Sequence, residues 1–131
     1  MRKLALLFPL CLLLGCAVQH AKAPQIDTQT TLRLNLANQV DQANRDYKTF
    51  FTDVGRGQRT GQLTASDVAV LNVAGGQLKG IIEKANALEK TYAANYDAAL
   101  PSQIVALVSQ AAQIYTGMYT QREQMLARTG K

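Results

Sequence analysis

The chain has no tryptophan, a single histidine, two cysteines and three prolines in 131 residues. One His and two Cys leave no constellation of soft ligands for a zinc site. Three Pro and nine Gly exclude collagen-like and low-complexity chains. No apolar run approaches the roughly 20 residues that a membrane-spanning helix needs; the run from Leu4 to Leu14 has 11. Charged residues make up only 18%, while apolar residues reach 47%. A formal charge of +5 invites a nucleic-acid reading at first sight. The length suits one small domain.

The N-terminus reads as an address. Met1-Arg2-Lys3 is a short basic start, the Leu4–Leu14 run is a short apolar core, and polar sequence follows. That is the layout of an export signal. Its end, Leu13-Leu14-Gly15-Cys16, resembles the lipobox of bacterial lipoproteins: an aliphatic residue, a small or aliphatic one, Gly/Ala/Ser, then Cys. Cys11 does not fit, because bulky Leu10 precedes it. The resemblance implies cleavage between Gly15 and Cys16, a diacylglyceryl group on the Cys16 thiol, and acylation (commonly palmitate) of the new amine. The protein would then be held on a membrane by lipid chains, each buried methylene contributing roughly 0.8 kcal/mol. In Gram-negative lipoproteins the residue after the Cys influences sorting. Ala17, where an Asp would favour the inner membrane, implies the outer membrane, with the protein facing the periplasm.

Division at Cys16 changes the composition. Residues 1–15 leave with the signal, taking Cys11, Arg2 and Lys3, so the mature chain of 116 residues carries +3. With Cys16 acylated there is no free thiol and no disulfide. A charge of +3 spread along the chain is ordinary, and no nucleic-acid partner is expected. Residues 16–30 form the acylated N-terminus and a flexible tether, polar and small with Pro24 inside it; such a segment has an r.m.s. reach of about 20 Å. His20 lies in the tether, where nothing nearby could orient it for catalysis.

Residues 31–131 read as a helical domain. From Thr31 to Val54, Leu32, Leu36, Val40, Ala43, Tyr47, Phe50/Phe51 and Val54 recur at helical spacing, and Gly55 falls where a C-cap is expected. Residues 55–62 (GRGQRTGQ) have the composition of a loop. Their glycines lack the spacing and the Lys-Ser/Thr of a phosphate cradle. Arg56 and Arg59 are candidates for contact with anionic headgroups or a partner, but the simpler reading is a solvated connection between helices.

Thr64-Ala65-Ser66-Asp67 resembles a capping box, with Leu63 and Val68 placed for a hydrophobic staple. The following stripe runs Val68, Leu71, Ala74/Gly75, Leu78, Ile81/Ile82, Ala85, Leu88, Tyr92 and Tyr96. Gly75-Gly76 and Gly80 interrupt it, each costing about 1 kcal/mol relative to Ala. They mark either a kink that splits the helix or a place of close packing. A third helix starts at Pro101 or Ser102 and carries Ile104, Leu107/Val108, Ala111, Ile114/Tyr115, Met118, Arg122 and Met125/Leu126. An antiparallel hairpin of the second and third helices sets Tyr115 level with Ile82 and Tyr119 with Leu78. The expectation is that these two rings fill the space left by Gly76 and Gly80. The expected fold is all-α, an antiparallel three-helix bundle, with a fourth helix if the second breaks at Gly75-Gly76.

No catalytic residues, cofactor, metal or small-molecule substrate are expected. The mature chain offers no Cys nucleophile, and Glu83 and Glu89 sit near Lys79, Lys84 and Lys90 as exposed helix pairs. Three function classes remain. The first is a non-enzymatic binding or adaptor protein of the envelope. Its layout of anchor plus helical domain is similar to pilotins and assembly-accessory lipoproteins and implies an envelope protein partner. The second is a phage- or prophage-encoded lipoprotein acting in superinfection exclusion or lysis, small lipoproteins to which the chain is loosely similar. The third is a structural spacer.

Overall fold

The computed structural model describes residues Asp27–Gly130. The signal, Cys16 and the tether as far as Ile26 lie outside the described residues. Three α-helices form the domain: α1 (Thr28–Arg59), α2 (Ala65–Asn95) and α3 (Leu100–Thr129). Short connections reverse the chain twice, giving an up-down-up, all-α bundle with no strand among the described residues. At one end Arg128 reaches Asp67 at 3.5 Å and the Thr129 hydroxyl donates to the Gln62 carbonyl at 3.0 Å. That end therefore joins the C-terminus of α3 to the N-terminus of α2.

The apolar stripes meet in a core that runs the length of the bundle. Phe50, Val54, Leu71, Leu78, Ile82, Ala111 and Met118 form one part, towards the α1–α2 connection. Leu36, Val40, Ala85, Tyr92, Leu100 and Ile104 form the other, towards the α2–α3 turn. No buried position is polar or charged among the described residues. Burial of these side chains, each contributing roughly 1.5–3 kcal/mol when fully enclosed, is what closes the bundle without disulfides.

The capping box at α2 is formed in full. The Asp67 N–H donates to the Thr64 hydroxyl at 3.1 Å, and the Thr64 N–H donates to the Asp67 carboxylate at 3.0 Å. Leu63 is buried and Val68 packs against the same cluster, completing the staple. The Thr64 amide, then the Thr64 hydroxyl, hold the Asp67 carboxyl below its ordinary 3.8, with burial opposing and Arg128 assisting. A depressed folded-state pKa contributes stability above the unfolded value and loses it as pH falls through the folded value. Asp67→Asn is thus expected to flatten the acid side of the stability curve below about pH 4. Urea midpoints between pH 3 and 6 check this, and an unchanged acid limb contradicts it.

The helix boundaries differ from expectation at α1. It begins at Thr28, behind an Asp27 N-cap, and runs through Gly55 and Gly57 to Arg59. The expected loop over residues 55–62 is therefore mostly helix. The cause is tertiary: Leu63 folds back onto Gly57, where an added Cβ would lie 3.0 Å from the leucine Cδ1. The Gly57 carbonyl meanwhile accepts the N–H groups of Gln62 and Leu63 at 2.9 and 3.1 Å. Packing and capping together outweigh the helix penalty of the glycines.

The second helix is continuous through Gly75-Gly76, so no fourth helix forms. The expected partners of the glycines are also corrected. An added Cβ at Gly75 would meet the Phe51 ring at 2.1 Å, so the ring filling this stripe comes from α1. Nothing lies within 4 Å of the Cβ positions at Gly76 and Gly80. Tyr115 turns to Phe50 instead, ring centroids 5.9 Å apart, and Tyr119 is exposed. Hairpin level fixes only height along the bundle; the tyrosines sit on the side of α3 that faces α1.

The three glycines should consequently differ in sign. Gly75→Ala forces Phe51 aside, and overpacking of about 1–3 kcal/mol exceeds the propensity gain of about 1 kcal/mol. Gly76→Ala and Gly80→Ala gain up to about 1 kcal/mol each. Thermal or urea unfolding of the three variants checks this, and a common sign for all three contradicts it.

Candidate partner-binding groove

Arg56 and Arg59, expected in a loop, lie in the last turn of α1, where cations suit the negative end of the helix dipole. Both are exposed. Arg56 pairs with Asp53 at 3.1 Å, and Asp53 also receives Arg122 of α3 at 3.6 Å. Arg122 bonds Glu123 at 2.8 Å and retains only 14% side-chain exposure. Its guanidinium stands 5.6 Å from the Phe50 ring centroid and 4.9 Å from that of Tyr119. The structure thus brings Arg56 into an ion-pair cluster and leaves Arg59 outside it. A pocket of about 220 Å³ adjoins this cluster, but its charges are already matched, so it is a clasp between α1 and α3. Arg122 was not expected to have a role beyond the bundle; its position on the apolar stripe of the third helix was the signal.

Further along the same seam, α1 and α3 part. They are the least intimately packed pair in the bundle, while α2 and α3 are the closest. The reason lies in the side chains between them: Ala43, Ala111 and Ala112 are too small to fill the gap. A groove of about 290 Å³ opens there, deep enough for Leu78 of α2 to form part of its floor with Ala43, Val108 and Ala111. Gln39, Gln42, Asp46, Tyr115 and Thr116 supply its polar edge. Burial, followed by the nearby Asp46 carboxylate, raises the Tyr115 phenol above its ordinary value, with Arg122 opposing. Tyr115 is accordingly a neutral hydroxyl at physiological pH.

The groove combines an apolar floor with a few hydrogen-bonding groups at its edge. An apolar floor with a few fixed hydrogen-bonding groups is the common make-up of a binding site. The α3 wall is free of charge: between Asp97 and Arg122 there is no Asp, Glu, Lys or Arg. Depletion of charge at a contact centre lowers the desolvation cost of association. Among the described residues no three His, Cys, Asp or Glu are grouped to hold a metal ion, and no described helix is long and apolar enough to cross a membrane. Comparison with protein-family models, curated protein sequences and solved structures finds no match to this chain.

Proposed function

We propose that this is a lipid-anchored envelope protein of binding type, held through Cys16 at the outer membrane, facing the periplasm, and offering the α1–α3 groove to a helix of a protein partner. The lipobox residues Leu13-Leu14-Gly15-Cys16 support the anchor. The observation that carries the binding role is the open groove, whose lining is drawn from all three helices, with buried Leu78 of α2 and Ala111 of α3 at its base. A helix laid along it would complete a four-helix arrangement, the helix-in-groove mode of recognition.

The direction of the bundle fits this reading. The tether leads into Thr28, beside the α2–α3 turn, because Leu36 near the start of α1 packs with Tyr92 and Leu100. Arg56 and Arg59 sit at the other end of a 32-residue helix, about 48 Å long at 1.5 Å per residue. Their position at the far end from the tether sets them away from the anchoring headgroups.

The binding role is tested with a photoreactive residue at Gln39 in the full chain, in the cells that make it. A discrete protein adduct is expected, and Ala112→Arg in the same chain should abolish it while leaving helicity and melting intact, since Ala112 is exposed. The length of α1 also suits a spacer. A spacer gives no adduct that depends on Ala112, and that result contradicts the binding reading.

A further inference from the structure

Asp46 is the one charged residue lining the groove, and among the described residues it forms no ion pair. Its carboxylate accepts the Gln42 side-chain amide at 2.7 Å. Gln42 is itself fixed from behind, its carbonyl accepting the Arg45 guanidinium at 3.2 Å. The amide is therefore held in one orientation, donor towards Asp46, and the carboxylate is held at the groove edge. The cation nearest this network, Arg45, is spent on Gln42 on the exposed side of α1. The groove thus offers a half-buried, pre-positioned anion beside a neutral phenol and an uncharged α3 wall.

We propose that the occupant of the groove is an amphipathic helix carrying a Lys or Arg among small apolar residues, with its cation against Asp46. This rests on the reading of the groove as a docking site and specifies the partner's chemistry. A lone carboxylate above an apolar floor favours a basic side chain whose methylenes lie on Ala43 and Val108 while its head reaches the edge. Ala43, Ala111 and Ala112 let a helix backbone come close. An acidic helix would bring like charge to a partly desolvated site, so the same group selects against the wrong partner. A strand has no free edge to pair with among the described residues.

The test is a selection on the full chain from a displayed library of helix-forming 18-residue peptides, about 27 Å long, randomised along one face. Selection is run in parallel against the wild type, Asp46→Asn and Ala112→Arg. The expected result has three parts. Lys or Arg is enriched about tenfold at one randomised position with the wild type. The enrichment disappears with Asp46→Asn, and binding itself is lost with Ala112→Arg. Peptides that Ala112→Arg rejects, but that show no basic preference or an acidic one, overturn the basic partner and leave the docking reading standing. Peptides that bind Ala112→Arg as well as the wild type, or a selection that yields no binders, overturn the docking reading itself.

Discussion

Phe50→Ala is expected to reduce stability by about 3–5 kcal/mol, the usual cost of removing a fully enclosed aromatic ring. Phe50 is 1% exposed and meets three different structural features. Its ring lies edge-on to Tyr115 of α3 and to Phe51, at 5.9 and 5.4 Å. It also carries the Arg122 guanidinium. The truncation therefore leaves a cavity and also removes the support of the α1–α3 clasp and of the ring that covers Gly75. A domain of this size has a total stability of about 5–15 kcal/mol, so the variant should melt on the order of 15 °C or more below the parent. Urea unfolding followed by circular dichroism measures the difference. Tyr119→Ala, at an exposed ring, is the control and should cost much less. A loss below about 1 kcal/mol for Phe50→Ala contradicts the assignment of Phe50 as the hub of the core.

The parts of the fold that depend on local chemistry were legible in the sequence, and those that depend on a distant neighbour were not. The Thr64–Asp67 box is a four-residue device, and its residues alone announce the start of α2. Helical spacing likewise announced all three helices and most of their core positions, from Leu36 to Met125, although Leu32 and Tyr96 on the same stripes are exposed and buried Leu100 was not among them. The end of α1 was misread because Gly55 and Gly57 look like punctuation until Leu63 is seen lying on Gly57. The partner of Gly75 was misassigned for a related reason. Periodicity says that a small residue faces the core but not which helix supplies the covering ring, and here Phe51 does so. The groove left a fainter trace: the charge-free interval of the third helix and the alanines at positions 43, 111 and 112 were visible. That they coincide in space follows only from the placement of α1 against α3. Arg59 lies outside the site because an exposed arginine at a helix end needs nothing but water.

Cys16→Ala carries the largest expected effect on the protein in the cell. Under the proposed lipid anchor, loss of the thiol removes the acceptor for a diacylglyceryl group, and cleavage before residue 16 should fail with it. Each methylene of an acyl chain contributes roughly 0.8 kcal/mol to membrane attachment, so loss of two or three chains abolishes near-permanent anchoring. The variant should lose its palmitate label. With cleavage failing, the variant should accumulate as uncleaved precursor, and whatever stays in the washed membrane fraction is held by the Leu4–Leu14 segment rather than by lipid. That precursor is distinguished by its higher mass and by intact residues 1–15. The helical domain begins at Thr28, well beyond the substitution, and should melt as the parent does. Retention of both the label and the membrane fraction by Cys16→Ala contradicts an anchor at this residue.

The most direct test of the anchored-protein account is the mass of the N-terminal peptide of the protein purified from its own cells. The account predicts a chain that starts at Cys16 and carries a diacylglyceryl group on the thiol and an acyl group on the amine. A chain that retains residues 1–15 with an unmodified Cys16, or one cut elsewhere without lipid, contradicts it.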